Sequence, residues 1–110
     1  MPEYCDLHCH LLYGVDDGAR TVEDSVEMAR ALWALGFRTV APSPHARPEY
    51  APVEVARARL EEVRAALAAA GVPLELHLNA ENDLVGDHFL DDVATDRGRR
   101  LGAAGRCVLV

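Results

Sequence analysis

His8 and His10 stand two residues apart in the segment Asp6-Leu-His-Cys-His10, and Asp16-Asp17-Gly18 follows closely. On a strand, residues i and i+2 project from the same face. Two imidazoles on one face, with carboxylates at Asp6 and Asp17, have the chemistry to converge on a divalent cation, whose nitrogen ligands sit roughly 2.0–2.1 Å away. A pair of merely hydrogen-bonded strand histidines is the plainer alternative. Further candidates recur in order downstream: His45 just past Pro42 and Pro44, and Glu81 just past the alternating run from Leu74 to Leu78.

The elements that must position these side chains are legible from period and punctuation. Tyr4 to His8 reads as a first strand, and Leu11 to Arg20 as a loop holding Gly14 and the Asp-Asp-Gly turn. Thr21-Val-Glu-Asp24 has capping-box spacing, with Asp in the place of Glu or Gln, and predicts a helix start. Val22, Val26, Ala29 and Trp33 then recur at helical spacing as a core stripe, and Gly36 is a natural stop. Phe37 to Ala41 reads as a second strand, broken by Pro42 and Pro44. Pro52 suits a first helical turn. Val53, Ala56, Leu60, Val63, Leu67 and Ala70 step alternately by three and four, an amphipathic helix that ends at Gly71, with its arginines and glutamates as a solvated face of i,i+4 pairs. Leu74, Leu76 and Leu78 alternate with Glu75, His77 and Asn79 as a third strand, with Glu81 at its end. A short helix over Asp83 to Val93, an Arg- and Gly-rich loop and a fourth strand over Arg106 to Val110 complete the reading.

Alternation of strands and helices implies parallel strands covered by helices. In such folds chemistry gathers at the C-terminal ends of strands. His8 and His10, His45, and Glu81 all fall at such ends, which favours one metal site over scattered polar residues.

Composition bounds the function classes. With 110 residues and a formal net charge of -7, the chain is one modest domain or part of a larger one. The acidic balance argues against a nucleic-acid surface. There is no apolar run long enough for membrane insertion and no secretory signal pattern at the N-terminus. The three cysteines, Cys5, Cys9 and Cys107, lack C-x-x-C spacing and suggest reduced thiols in a cytoplasmic protein.

His-Cys-His at 8–10, Gly-Val-Asp-Asp-Gly-Ala at 14–19, Ser-Pro-His at 43–45 and Ala-Glu at 80–81 together resemble the PHP (polymerase and histidinol phosphatase) superfamily. Within it the chain looks most like the bacterial tyrosine phosphatases of capsule and exopolysaccharide operons. The resemblance implies an α/β fold, the N-terminal part of a distorted (β/α)7 barrel with parallel strands and covering helices. It also implies a cluster of divalent ions, manganese foremost, with iron(II) or zinc as alternatives. Carried over by motif, His8 and His10 would hold one metal and Glu81 would bridge two. Asp17 and His45 would serve another and carry the catalytic role. Asp6 would orient a ligand histidine from behind. Asp16 would belong to the turn, with a solvated loop carboxylate as its plainer reading. Arg47 is offered as a phosphate contact against the plainer reading of a surface arginine. Ala46 stands where a second histidine often follows Pro-His, and Asn79 where a glycine often precedes the bridging glutamate.

The implied chemistry is metal-assisted phosphomonoester hydrolysis with a tyrosine phenolate as leaving group. The implied partner is a phosphotyrosine protein, a bacterial tyrosine kinase, and a homo-oligomer is compatible with the pattern. No cysteine nucleophile is required: Cys9 faces away from its histidine neighbours by alternation, and no Cys-x5-Arg loop is present. Two alternatives stay open, another phosphoesterase acting on a small molecule such as histidinol phosphate, and a non-catalytic metal-binding remnant. The family runs to more than twice this length, so the chain reads as the first half of a barrel, expected by itself to bind metal weakly, to turn over little or no substrate, and to associate or be poorly soluble. His77 could line the barrel interior or be a hydrogen-bonded structural histidine, and Tyr13 or Tyr50 could edge the cleft. His88, Asp91, Asp92 and the Arg97 to Arg100 cluster read as solvated charges.

Overall fold

The structure, a computed structural model, describes residues 3–47 and 49–82. The readings at Asp83–Val93, in the Arg- and Gly-rich loop and at Arg106–Val110 lie outside the described residues, as do those of His88, Asp91, Asp92, Arg97 to Arg100 and Cys107.

In chain order the elements are β1 (Tyr4–Cys9), α1 (Val22–Leu35), β2 (Phe37–Pro42), β3 (His45–Ala46), α2 (Val53–Ala70), β4 (Glu75–Leu76) and β5 (Glu81–Asn82). The strands are all parallel: β1, β2 and β4 form one sheet in that order, and β3 pairs with β5. This is the α/β pattern of parallel strands with helices that the alternation implies.

α1 starts, and both helices stop, where the sequence chemistry demands, while Pro52 precedes the first turn of α2 as an extended N-cap with no side-chain cap. Thr21 Oγ1 accepts the N–H of Asp24 at 3.1 Å, and the Asp24 carboxylate reaches back to the N–H of Arg20 at 3.1 Å. Asp24 thus plays the part of the usual Glu, but its carboxylate meets the N–H of Arg20, one residue before the N-cap, instead of that of Thr21. Gly36 and Gly71 close α1 and α2 in the left-handed region, at φ 104° and 72°. Only glycine enters that region without a Cβ penalty.

The apolar stripe of α2 packs as its period predicts: Ala56, Leu60, Val63 and Leu67 are buried. The predicted α1 stripe meets the core, but the burial also takes in Ser25, which hydropathy does not mark. Ser25 and Ala29 are its buried residues, while Val26 and Trp33 are only partly covered. Ser25 tolerates burial because its hydroxyl donates to the Leu11 carbonyl at 2.6 Å. The Trp33 ring is capped instead by the Arg38 guanidinium, 3.7 Å from its centroid. On α2 the ion pairs run i,i+3 rather than i,i+4, from Arg59 to Glu62 at 3.0 Å and from Arg64 to Glu61 at 2.5 Å. These arginines also leave the helix surface: Arg59 donates to the Tyr13 carbonyl and Arg64 to that of Leu76.

The prolines do not break the pairing: β2 runs through Pro42, one residue past the expected end at Ala41. The carbonyls of Val40, Pro42 and Pro44 accept the N–H groups of His77, Asn79 and Glu81 at 3.0, 2.8 and 3.0 Å. A proline lacks the donor but keeps its acceptor, so the ladder runs on through Ser43 and Pro44 to β3. The third predicted strand is likewise split into β4 and β5 by an irregular stretch whose backbone still follows its neighbour. This ladder sets Glu81 directly beside His45.

The loop between β1 and α1 belongs to the core. Leu11, Leu12 and Val15 pack with Val40, Leu60, Val63, Leu67 and Leu76. Val15 and Ala19 are buried on either side of Asp16-Asp17-Gly18. The turn is therefore pulled onto the protein, over the end of β1. Among the described residues no helix is long and apolar enough to cross a membrane.

Candidate metal centre

The ends of β1, β3 and β5 and the 16–18 turn deliver their polar side chains to one place. Glu81 Oε2 is the hub: it lies 3.7 Å from His8 Nε2, 3.4 Å from His10 Nε2 and 2.8 Å from His45 Nδ1. The other ring nitrogen of His45, Nε2, is 3.2 Å from Asp17 Oδ1. The rings themselves form a column: His8 meets His10 edge-on at 5.4 Å, His10 stacks on His45 at 4.6 Å, and His45 on Tyr50 at 5.5 Å.

Two overlapping groups of donors result, His8 with His10 and Glu81, and His10 with Asp16, Asp17 and His45; within each, the donor atoms lie within 4.8 Å of one another. Two ligands about 2.1 Å from one ion in tetrahedral array are themselves ~3.4 Å apart. The spacing of His10 Nε2 and Glu81 Oε2 suits a shared ion. The stronger sign is electrostatic. His45 Nδ1 and Glu81 Oε2 are both buried, and neither makes a well-aligned hydrogen bond, although they face each other at 2.8 Å. Buried polar atoms left this way are costly. A cation among them would satisfy both, so the residues present fit a divalent metal.

The remaining site candidates fall out as follows. Asp6 Oδ1 accepts the backbone N–H of His8 at 3.0 Å; it touches the strand and not the His8 ring. Arg47 is exposed two residues past His45. Asp16 is not the solvated carboxylate of the plainer reading. Its side chain is fully buried, and its Oδ1 accepts the Gly18 N–H at 2.9 Å, the hydrogen bond of a tight turn. Burial alone would raise its pKa, but the donors at Gly18, His10 and His45 outweigh that and hold it below the usual carboxylate value. Tyr13 turns away to α2, donating to Glu62 at 2.6 Å, and only Tyr50 meets the cluster. His77 is exposed and pairs with Glu75 at 2.7 Å, outside the cluster. Cys9 packs against the core, and burial first, then the charge of Asp6, pushes its thiol up to about 11. Asn79 is buried, with its amide donating to the Leu7 carbonyl at 3.1 Å and to the Ser43 hydroxyl at 3.3 Å, a polar brace from β1 to the stretch before Glu81.

A cleft of about 690 Å³ is lined by His8, Cys9, His10, Arg20, Asp24 and Glu27, among others.

An α/β scaffold with three imidazoles and several carboxylates gathered at strand ends could hold a metal ion, and comparison with known proteins gives the family. Residues 4–110 match the family described as capsular polysaccharide synthesis, CpsB/CapC, and the chain belongs to that family. It is 52% identical over 40 residues to the tyrosine-protein phosphatase YwqE of Bacillus subtilis (strain 168), a stretch covering 36% of this chain and 16% of YwqE. A solved structure from work on YwqE of Bacillus subtilis and CpsB of Streptococcus pneumoniae, described as unique metal-dependent tyrosine phosphatases, superposes with a TM-score of 0.79 at 30% identity. The match covers 88% of this chain and 39% of that one, so the chain spans well under half of its solved relative.

Proposed function

We propose that this protein hydrolyses phosphotyrosine on protein substrates, using divalent cations held at the His8, His10, His45 and Glu81 cluster. The observation that carries the reading is the convergence of three imidazoles on the one buried oxygen Glu81 Oε2. His8 and His10 would hold one ion with Glu81, and Asp17 and His45 would hold another, with Glu81 reaching both. Manganese is the ion we propose, with iron(II) and zinc as the alternatives. Divalent ions held by these residues would, when bound, supply the Lewis acidity that phosphomonoester hydrolysis by water needs.

The chain's own residues do the rest. Asp17 and His45, 3.2 Å apart, would carry the catalytic role by holding the second ion where the phosphoryl group is attacked. Asp6 fixes the backbone at His8 and so the pitch of the strand end that carries both imidazoles. Arg47 would meet phosphoryl oxygens from the loop after β3. The Cys9 thiol, with its raised pKa and its place against the core, is no nucleophile. We place the strands as the opening members of a (β/α)7 barrel and the protein in the cytoplasm, acting on a bacterial tyrosine kinase. The family resemblance to phosphatases of that setting supports all three.

The test is phosphate release from a phosphotyrosyl peptide against release from histidinol phosphate, with manganese, after chelation and after thiol alkylation. The proposal expects preference for the peptide, loss on chelation and no loss on alkylation. Activity that survives chelation, or dies on alkylation, overturns it.

A further inference from the structure

Asp16 and Asp17 are adjacent in sequence and opposite in circumstance. The Asp17 side chain is 64% exposed and the Asp16 side chain 0%. Asp16 draws donors from three separate places in the chain. Its Oδ1 accepts the N–H of Gly18 at 2.9 Å, and its Oδ2 accepts the backbone N–H of His45 at 3.0 Å while facing His10 Nδ1 at 2.8 Å. A carboxylate oxygen has two in-plane lone pairs. Both on Oδ2 are committed to nitrogen donors, which leaves that oxygen nothing to offer an ion.

The bond to His10 decides where that imidazole keeps its proton. An ionised carboxylate only accepts, so the nitrogen facing it must be Nδ1–H. The lone pair of a neutral ring then lies on Nε2, the atom 3.4 Å from Glu81 Oε2. The same carboxylate pins the first residue of β3, whose imidazole is the next ring in the column.

We infer that Asp16 is a positioning residue. It locks His10 in the Nδ1–H tautomer with Nε2 aimed at the candidate metal centre, and it ties the turn, the end of β1 and the start of β3 into one unit. The part of this that concerns metal rests on the reading of the cluster given above; the tautomer does not. A ligand imidazole whose other nitrogen donates to a carboxylate is held in orientation and made more basic, and removing the carboxylate typically lowers metal affinity by about 10- to 100-fold.

The experiment is 15N–1H long-range correlation of the metal-free chain at mildly alkaline pH, with His10 assigned by its loss in His10→Gln, followed by calorimetric titration with Mn2+. Wild type should show His10 as Nδ1–H. In Asp16→Asn the amide can present N–H to the ring, so the tautomer should move toward Nε2–H and Mn2+ affinity should fall by about 10- to 100-fold. His10 found as Nε2–H in wild type would overturn the inference, as would Asp16→Asn binding Mn2+ within twofold of wild type. The wild-type tautomer needs no variant, so a failure of Asp16→Asn to fold leaves a decisive result. Wild type that shows Nδ1–H and takes up no Mn2+ would uphold the Asp16 bond and overturn the metal centre; uptake with Nε2–H would do the reverse.

Discussion

Replacing Gly18 by alanine should damage the site without touching any candidate ligand. Gly18 does not need glycine for its backbone angles: the glycines at positive φ are Gly14, Gly36 and Gly71. It needs the space. A Cβ at position 18 would lie 2.4 Å from His10 Cβ and 2.4 Å from the His10 carbonyl oxygen. Both atoms are fixed to the main chain, so neither can swing aside. Ordinary contact would require the turn to retreat by about 1 Å, and overpacking of that kind costs about 1–3 kcal/mol. The same oxygen accepts the N–H of Ala19 at 3.2 Å, so that hydrogen bond would be lost or stretched, adding about 1 kcal/mol. Gly18→Ala should therefore lose about 2–4 kcal/mol in urea unfolding. Because Asp17 rides on the same turn, Mn2+ affinity measured by calorimetry should drop at least tenfold. A variant that unfolds within about 0.5 kcal/mol of wild type, the range of an inconsequential surface change, and that binds Mn2+ equally well would refute the packing argument.

Other outcomes follow from the same contacts. Asp16 is held below its ordinary pKa in the folded chain, so its contribution is present above about pH 4 and is lost as pH falls through the folded value. The stability gap between metal-free wild type and Asp16→Asn should thus shrink on acidification, and a gap that widens would contradict the assigned donors. With its thiol near 11, Cys9 is thiolate in only about one molecule in a thousand at pH 8. Iodoacetamide followed by peptide mass spectrometry should find the exposed Cys5 modified and Cys9 spared; equal labelling would show Cys9 to be open. Leu67→Ala removes a side chain only 2% exposed in the α2 stripe and should cost about 2–5 kcal/mol, read from the urea midpoint. A loss under about 1 kcal/mol, no more than a volume-conserving swap costs, would mean the stripe is not core.

Much of the scaffold was legible because it depends on local rules. The cap at Thr21, the stops at Gly36 and Gly71 and the period of α2 are properties of short segments, and the strand ends inherit their ligands from them. What misled is non-local. Pro42 and Pro44 advertise a missing donor, but the ladder here uses their carbonyls, which sequence does not distinguish. The α1 stripe favoured Trp33 over Ser25 on hydropathy, whereas burial was settled by an acceptor 14 residues away, the Leu11 carbonyl. Asp16 and Asp17 are indistinguishable as types. Asp16 and not Asp17 meets the donors at His10 and His45, which the turn's own residues do not announce. The spacing of His8, His10, His45 and Glu81 along strands could be read; that Glu81 Oε2 is common to all three rings required the register of β3 against β5.

The most direct test is anomalous diffraction from crystals of the protein soaked in Mn2+. The account predicts a manganese peak within coordination distance of Glu81 Oε2, flanked by the ring nitrogens of His8 and His10. Manganese bound elsewhere, with those side chains making no contact to it, would contradict it.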